Sequence, residues 1–593
     1  MSVLKLVILF TCLLHSLIEA EVVYNGSSTA KDDWWKHTTF YQIYPRSFKD
    51  SDGDGLGDLN GIISKLQYLV DAGITATWLS PISKSPGVDA GYDISDFRDI
   101  DEKFGTMSDF DRLIKAAHEL GIKVILDFVP NHASYQHVWF QLSKNRTKGY
   151  EDYFIWKKGY NSTTPPNNWL SRFDYSAWEY VAERDEYYYH QFTTSQPDLN
   201  FRNPKVVQEM KLGNHDRDRV ATRLGVENVD GYNMMVAFLP GTAVTYNGEE
   251  IGMENGEVTW EEGQDPGACN GLESDFKTKL PFHRVLMTEA YSNISVDMLH
   301  YGNGTVEGAH FPFNFFIITD TEYNSTANEI ISVIKKWFQH MPSGHVSNWV
   351  LGNHDRDRVA TRLGVENVDG YNMMVAFLPG IAVTYNGEEI GMENGEVTWE
   401  EGQDPGACNG LESDFKTVSR DFERTPFHWD SSVNAGFSTG NKTWLPVSSK
   451  YKTNNLELQS KDGVKSHFHV YQDLMKLRKE DTLIYGNLNV EVLATYVLAF
   501  TRELDGNDTY VFIFNKGNYS TSVSLSSFKS LSGNVTVVLS STNSSRNKGD
   551  TLSTASIIMD AHEAIIAKSR SNVSVCWNIY TILLIMVLLF RIS

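Results

Sequence analysis

Short runs of β-branched and aromatic residues recur along most of the chain, and several are followed by a stretch with helical spacing. They include TTFYQIYPRSF from Thr38, GITATWLSP from Gly73, KVILDFVPNH from Lys123, RVLMTEAYS from Arg284 and SNWVLGNHD from Ser347. Runs that are apolar nearly throughout mark strands buried on both faces, the kind found in parallel sheets covered by helices. KLQYLVDAG (65–73) and FDRLIKAAHELG (110–121) read as such helices, and each ends in glycine, which leaves the helical conformation without a steric penalty. Repeated βα units over more than 350 residues predict an α/β fold built on a (β/α)8 TIM barrel rather than on a doubly wound sheet. No glycine-rich fingerprint follows the first strand, which argues against nucleotide binding.

Two regions break this rhythm. Residues 132–201 are rich in Trp, Tyr, Asn and Pro and read as a domain inserted after a strand, so the barrel is expected over 35–131 and 202–486. From about Asn487 the apolar period changes to two, in VLATYVLAFTR, DTYVFIFNKG and NVTVVLSS. That period predicts a C-terminal antiparallel β-sandwich over 487–570. A third feature is a copy. Leu212–Thr278 repeats Leu351–Thr417 at every one of 67 positions except Thr242 against Ile381. Near-identity of this length is not a solenoid repeat, which needs several diverged units. It implies a recent duplication, a gene-conversion event or an error of sequence assembly.

Composition narrows the function classes. With 593 residues, 41% hydrophobic and 21% charged, the chain fits a packed globular protein of one large domain and smaller ones. A net charge of −23 repels phosphate and argues against nucleic acid as a partner. Residues 1–20 place Lys5 before an apolar run and Ala20 at a cleavage position, the pattern of a secretory signal peptide. At the far end the apolar run Val575–Phe590 has 16 residues, roughly 24 Å as a helix and short of a hydrocarbon core of about 30 Å. Ser569, Ser571, Asn572 and Ser574 precede it. Residues 571–593 therefore read as a GPI lipid-anchor signal, with a short transmembrane tail as the alternative. Twelve N-x-[ST] sequons fit an exported glycoprotein at the extracellular face of the plasma membrane. Cys12 and Cys576 lie in the two end segments, and Cys269 and Cys408 are one position in two copies, so no disulfide framework is expected.

Candidate chemistry lies in two places. Asp50-Ser-Asp-Gly-Asp-Gly-Leu-Gly-Asp58 sets oxygen ligands at alternate residues with glycines between them, like the first half of an EF-hand loop. Asp50, Asp52, Asp54 and Asp58 would supply carboxylates to a Ca²⁺ ion and Leu56 a carbonyl, although Gly61 stands where an EF-hand carries its Glu. The second place is the set of polar strand ends: Asp127, Asn131 and His132 after one strand, Glu289 after another, His354 and Asp355 after a third. On a barrel the C-terminal strand ends share one face, so these side chains are expected to converge.

GYDISDF (91–97), DFVPNH (127–132), QPDLN (196–200), MTEAY (287–291), GNHDR (352–356) and RTPFHWD (424–430) resemble the short conserved regions of glycoside hydrolase family 13. QPDLN is similar to that of its oligo-1,6-glucosidase/α-glucosidase branch, and the end segments are similar to those of membrane-anchored insect maltases. The resemblance implies a retaining α-glucosidase acting on terminal glucose of substrates such as maltose or sucrose, with two carboxylates roughly 5–5.5 Å apart. It implies Glu289 as acid/base, and Asp355 and His354 as holders of glucose hydroxyls that stabilise the oxocarbenium ion. Asp127 falls in the substrate-binding set, Asp93 and Arg424 would clamp the non-reducing end, and His132 would reach the exocyclic hydroxyl.

One part is missing. The family nucleophile is an aspartate in a G-F-R-x-D segment, and no such stretch occurs in this chain. The first copy of the repeat stands in its place, whereas the second copy has fitting neighbours, SNWV before it and FERTPFHWD after it. Glu249, Glu250 and Asp216 of the first copy are weak substitutes. The alternative to an α-glucosidase is therefore a non-catalytic membrane-anchored surface protein, since the family also contains transporter heavy chains without glucosidase activity and mosquito maltases that serve as bacterial-toxin receptors.

Overall fold

The computed structural model describes residues 21–24, 34–173, 175–210, 285–302, 308–408, 410–531 and 533–570. The end segments 1–20 and 571–593 and the first copy of the repeat, with Asp216, Glu249, Glu250 and Cys269, lie outside the described residues. Among the described residues no helix is long and apolar enough to cross a membrane.

The apolar runs become short parallel strands. One five-stranded sheet has the spatial order Asn348–Val350, Ile381–Tyr385, Thr39–Ile43, Ala76–Leu79 and Lys123–Leu126. Every pairing in it is parallel. Thr39–Ile43 and Ile381–Tyr385 are buried at every position, as expected of strands covered on both faces. Met287–Thr288 and Phe311–Pro312 form a second parallel pair. Asn348 ties that pair to the first sheet: its Oδ1 accepts from the Asn314 amide at 2.8 Å, and its Nδ2 donates to the Pro312 carbonyl. These seven strands have the arrangement of a (β/α)8 barrel. Lys123–Leu126 departs from the expected burial, with Leu126 43% and Phe128 50% exposed. It is the edge strand of its sheet, so no described strand covers its outer side.

Local chemistry explains where the helices begin and stop. Met107–Glu119 and Ala327–His340 each open on a capping box, Thr106 with Asp109 and Thr326 with Glu329, which satisfies two orphan amides at each start. The turns after the two helices read from sequence use Gly73 at φ +84° and Gly121 at φ +76°.

The region after Asn131 forms a small three-stranded antiparallel sheet in the order Trp156–Lys157, Glu186–Tyr189, Trp178–Val181. Its core is aromatic: Phe140 stacks on Trp156 at 5.6 Å and meets Tyr188 edge-on at 5.1 Å. A bridge between His132 and Asp198 closes its base, which fixes His132 beside the barrel rim.

The period-two segment forms an antiparallel sheet in the order Glu21–Tyr24, Asn487–Ala494, Val497–Glu503, Thr509–Asn515, Ala564–Ser569, Asn534–Ser540 and Thr551–Ser553. Alternation divides its residues between two cores. Leu498, Phe500, Phe512, Phe514 and Ile566 join the barrel core, while Val497, Ala499, Val511, Ile513 and Ile565 make a separate core with Val523 and Met559. The outermost strand, Glu21–Tyr24, comes from the opposite end of the chain, a pairing too short to leave a periodic signal.

A polar latch joins the sheet to the barrel. Asp369, buried on helix Val368–Phe377, accepts from Thr542 N and Oγ1, each at 2.7 Å, and lies 2.7 Å from His467 Nδ1. Burial pushes the His467 pKa down, but the Asp369 charge outweighs it and the net shift is upward. The pair therefore contributes in full below the ordinary value of 6.5 and is lost as pH rises through the higher folded-state value. Asp369→Ala is expected to cost about 3–5 kcal/mol in denaturant unfolding by stranding these donors. It should also abolish the loss of stability that the wild type shows on going from pH 6 to 8.

Candidate active site

The barrel delivers its polar strand ends to one rim. Asp127 extends Lys123–Leu126, with its amide donating to the Leu79 carbonyl at 3.1 Å. Glu289 directly follows Met287–Thr288, and His354 and Asp355 follow Asn348–Val350. The ring of His354 is buried between two tyrosines, at 5.3 Å and 20° from Tyr44 and at 5.5 Å and 3° from Tyr92. Its Nε2 lies 2.7 Å from the Tyr92 hydroxyl, which donates to Asp127 Oδ2 at 3.2 Å. Gln42 meets the other side of the ring, with Nε2 2.9 Å from Nδ1.

Asp355 is gripped by two arginines. Arg424 donates to Asp355 Oδ1 and, through Nε, to the His354 carbonyl at 2.7 Å. Arg420 reaches the same Oδ1 at 3.4 Å and also pairs with Asp404 at 2.6 Å and Asp89 at 3.2 Å. Phe173 of the inserted region packs under Arg420 at 5.9 Å. Gln196 donates to Asp89 at 2.8 Å, and His132 Nε2 donates to the Tyr92 carbonyl at 3.0 Å. QPDLN thus meets the loop just before GYDISDF, and DFVPNH meets GYDISDF itself.

Two expected positions turn out differently. Asp93 does not reach toward Arg424. Its buried carboxylate accepts from Ser85 Oγ at 2.8 Å and from the Val88 and Asp89 amides at 3.0 Å each, so it shapes the loop. Asp89, four residues earlier, is the carboxylate that meets an arginine, and that arginine is Arg420. In the acidic loop, Asp50, Asp52 and Asp58 bring carboxylate oxygens within 4.8 Å of one another, and Asp54 stands outside that group. Asp54 instead accepts from the Leu56 amide at 2.7 Å. Gly53 and Gly55 take φ of +86° and +95°, and a Cβ on Gly55 would lie 2.1 Å from the Lys442 carbonyl. The glycines are therefore required by both backbone conformation and close approach. The three clustered carboxylates suit a hard cation.

Electrostatics sorts the rim carboxylates. Burial pushes Asp355 up, but His354 and the charges of Arg420 and Arg424 outweigh it and hold the group below the usual carboxylate range. Burial, with the Asp355 charge, pushes Asp127 up to about 7 against the Tyr92 hydrogen bond. Protein packed around Glu289 and the charges of Asp355 and Asp127 push Glu289 upward. Its surface stays open to solvent in the concavity, which moderates that push. Burial pushes His354 down to about 4, so its ring is neutral near pH 7. Carboxyls pushed in opposite directions at one rim give the kind of division that acid catalysis requires.

Gln42, Tyr44, Asp89, Tyr92, Gln196 and Arg420 join this site without having been singled out by sequence. Tyr92 and Gln196 lie inside the quoted motifs and Arg420 lies four residues before RTPFHWD, but their orientation depends on loops that sequence spacing does not fix.

A barrel with an inserted aromatic domain, an antiparallel sheet behind it and rim carboxylates whose pKa values are pushed in opposite directions belongs to the glycoside-hydrolase class. The chain is a member of the alpha-amylase family, glycoside hydrolase family 13: it matches the family's catalytic domain over residues 42–212, 210–280 and 276–486. It is 44% identical to Maltase 1 of Drosophila virilis, over 91% of this chain and 87% of that protein. It is 42% identical to Maltase A1 of Drosophila melanogaster, over 89% and 95% respectively. Among solved structures it is similar to a mutant isomaltulose synthase of Erwinia rhapontici in complex with its natural substrate sucrose. The TM-score there is 0.72 at 27% identity, covering 91% of this chain and all of that one.

Arg424→Met should leave Asp355 with one guanidinium. The expected loss is about 2–4 kcal/mol in urea unfolding, on the low side for a buried pair because the Asp355 side chain is partly exposed. Arg424→Lys, which keeps the charge and loses the fork, should recover part of it.

Proposed function

We propose that this chain is an exported α-glucosidase of the maltase type, taking the terminal glucose of an α-glucoside such as maltose or sucrose. The observation that carries this reading is the rim arrangement of a raised Glu289 beside an ionised Asp355 held by Arg420 and Arg424. The names of the relatives, maltases with around 40% identity over most of the chain, support it. In this reading Glu289 protonates the glycosidic oxygen and later takes a proton from water. Asp355 and His354 hold glucose hydroxyls, His132 faces the exocyclic hydroxyl, and the Asp89–Arg420 pair closes the non-reducing end.

Retention needs a second carboxylate about 5–5.5 Å from the acid, and the G-F-R-x-D segment that supplies it in the family is absent. That absence favours a second reading, a non-catalytic surface receptor, including a toxin receptor, that keeps the sugar pocket. Maltose separates the two. Glucose release by the purified protein that falls about 10²–10⁴-fold in Glu289→Gln supports the enzyme. Maltose binding without glucose release selects the receptor, and failure to bind maltose at all removes both.

For export, nine of the twelve sequon asparagines lie among the described residues and all nine are exposed, which supports a glycoprotein at the extracellular face of the plasma membrane with a GPI-type tail. We also assign a structural Ca²⁺ to Asp50, Asp52 and Asp58, whose mutual repulsion a divalent cation would offset. Such an ion would pin the loop and take no part in the reaction. At a free Ca²⁺ concentration a hundredfold above Kd, chelation should lower stability by about 2.7 kcal/mol, read as a lower melting temperature. Asp50→Ala should melt at that lower temperature with or without the ion, and a wild-type melt indifferent to chelator would remove the assignment.

A further inference from the structure

Gln42 is the fourth of five residues in the barrel strand Thr39–Ile43 and is fully buried. No sequence motif marks it, and its side chain faces neither solvent nor the acidic loop. What it meets is His354: its Nε2 lies 2.9 Å from His354 Nδ1, with a longer contact of 3.4 Å to Ser80 Oγ. An amide nitrogen only donates, so Nδ1 must accept. A neutral imidazole carries one proton, and that proton is therefore on Nε2. The ring is kept neutral by burial and by Arg424 and Arg420, against the opposing charges of Asp355 and Asp89.

The consequence runs across the rim. The Nε2 proton points at the Tyr92 oxygen 2.7 Å away, which leaves the tyrosine proton for Asp127 Oδ2 at 3.2 Å. The donors then run in one direction, from Gln42 to His354 to Tyr92 to Asp127. We propose that Gln42 is a positioning residue of this site: its amide fixes the Nε2–H tautomer of His354 and thereby the direction of the hydrogen bonds that His354 and Tyr92 present at the rim. The alternative orientation has a different signature. With the Gln42 amide turned over, its carbonyl would face Nδ1, the ring proton would move to Nδ1, Nε2 would accept from Tyr92, and Asp127 would lose its donor.

The effect on sugar binding rests on the α-glucoside reading, whereas the tautomer does not, so two measurements separate them. In the full chain labelled with 15N-histidine, the His354 resonances are identified by their loss in His354→Gln. They should show a proton on Nε2 alone from about pH 5 to 8. In Gln42→Glu the new carboxylate accepts from the ring, so the proton should shift to Nδ1. Gln42→Met keeps the volume and removes the donor, and should give a mixture of tautomers. Binding of thiomaltose, a neutral sulfur-linked maltose analogue that resists hydrolysis, should weaken in the order wild type, Gln42→Met, Gln42→Glu. The last is expected to fall about 10–100-fold, the range typical of an orienting partner. It should also gain a pH step beyond the one that Asp127, raised to about 7, already gives the wild type. Melting temperatures of both variants identify any loss of fold. A wild-type ring protonated on Nδ1 overturns the proposal, as do two folded variants with wild-type tautomer and affinity. A wild type that shows Nε2–H yet ignores thiomaltose overturns the glucoside reading and upholds the tautomer assignment.

Discussion

An ionised carboxylate withdrawn from bulk water must be matched by positive charge or it takes up a proton. Asp355 is matched twice over, by Arg424 behind it and Arg420 beside it, and the electrostatics of the rim follows from that. Burial pushes Asp127 and Glu289 toward their protonated forms, and because Asp355 stays charged its field adds to that push. Burial keeps the His354 imidazole neutral despite the adjacent carboxylate, and the arginines that hold Asp355 add to that push. Four titratable groups at the ends of three strands thus take three different protonation tendencies around one ion-pair cluster. The arginines come from the loop after the last barrel strand, Ile381–Tyr385, so the charge pattern requires the chain to return across the rim after the barrel strands are laid down.

The scaffold makes that return possible. Parallel strands put all C-terminal ends on one side, and the neighbours Thr39–Ile43, Ala76–Leu79 and Lys123–Leu126 place Gln42, Ser80 and Asp127 side by side without any long-range coincidence of loops. The inserted region then contributes from outside the barrel, with Gln196 on Asp89 and Phe173 under Arg420. Rigid strands supply the reactive carboxyls and loops supply the wall, the usual division in sites of this architecture.

How much of this could be read from residues alone follows the same division. Polar groups ending apolar runs were legible, because strand direction fixes where they point: Asp127, Glu289, His354 and Asp355 all reach the rim. Loop residues were not. Asp93 and Asp89 are four positions apart in one loop, both acidic, and only the folded turn decides that Asp93 is consumed by Ser85 and two amides while Asp89 meets Arg420. The same holds for Asp54 in the acidic loop, where regular spacing suggested four equivalent carboxylates and three cluster. Gln42 lies within a largely apolar run and no motif marks it. Its meaning depends on a partner 312 positions away. The strand Glu21–Tyr24 is too brief for any periodicity.

The duplicated stretch shows why chemistry belongs to partners rather than to a motif. Within Leu351–Thr417 the working residues are held mainly by side chains outside those 67 positions. Asp355 depends on Arg420 and Arg424, His354 on Gln42 and Tyr92, and Asp369 on His467 and Thr542. Each of those partners occurs once in the chain and is engaged with the second copy. The first copy repeats the letters NHD at Asn214, His215 and Asp216, which lie outside the described residues. Identical sequence therefore does not imply a second equivalent centre.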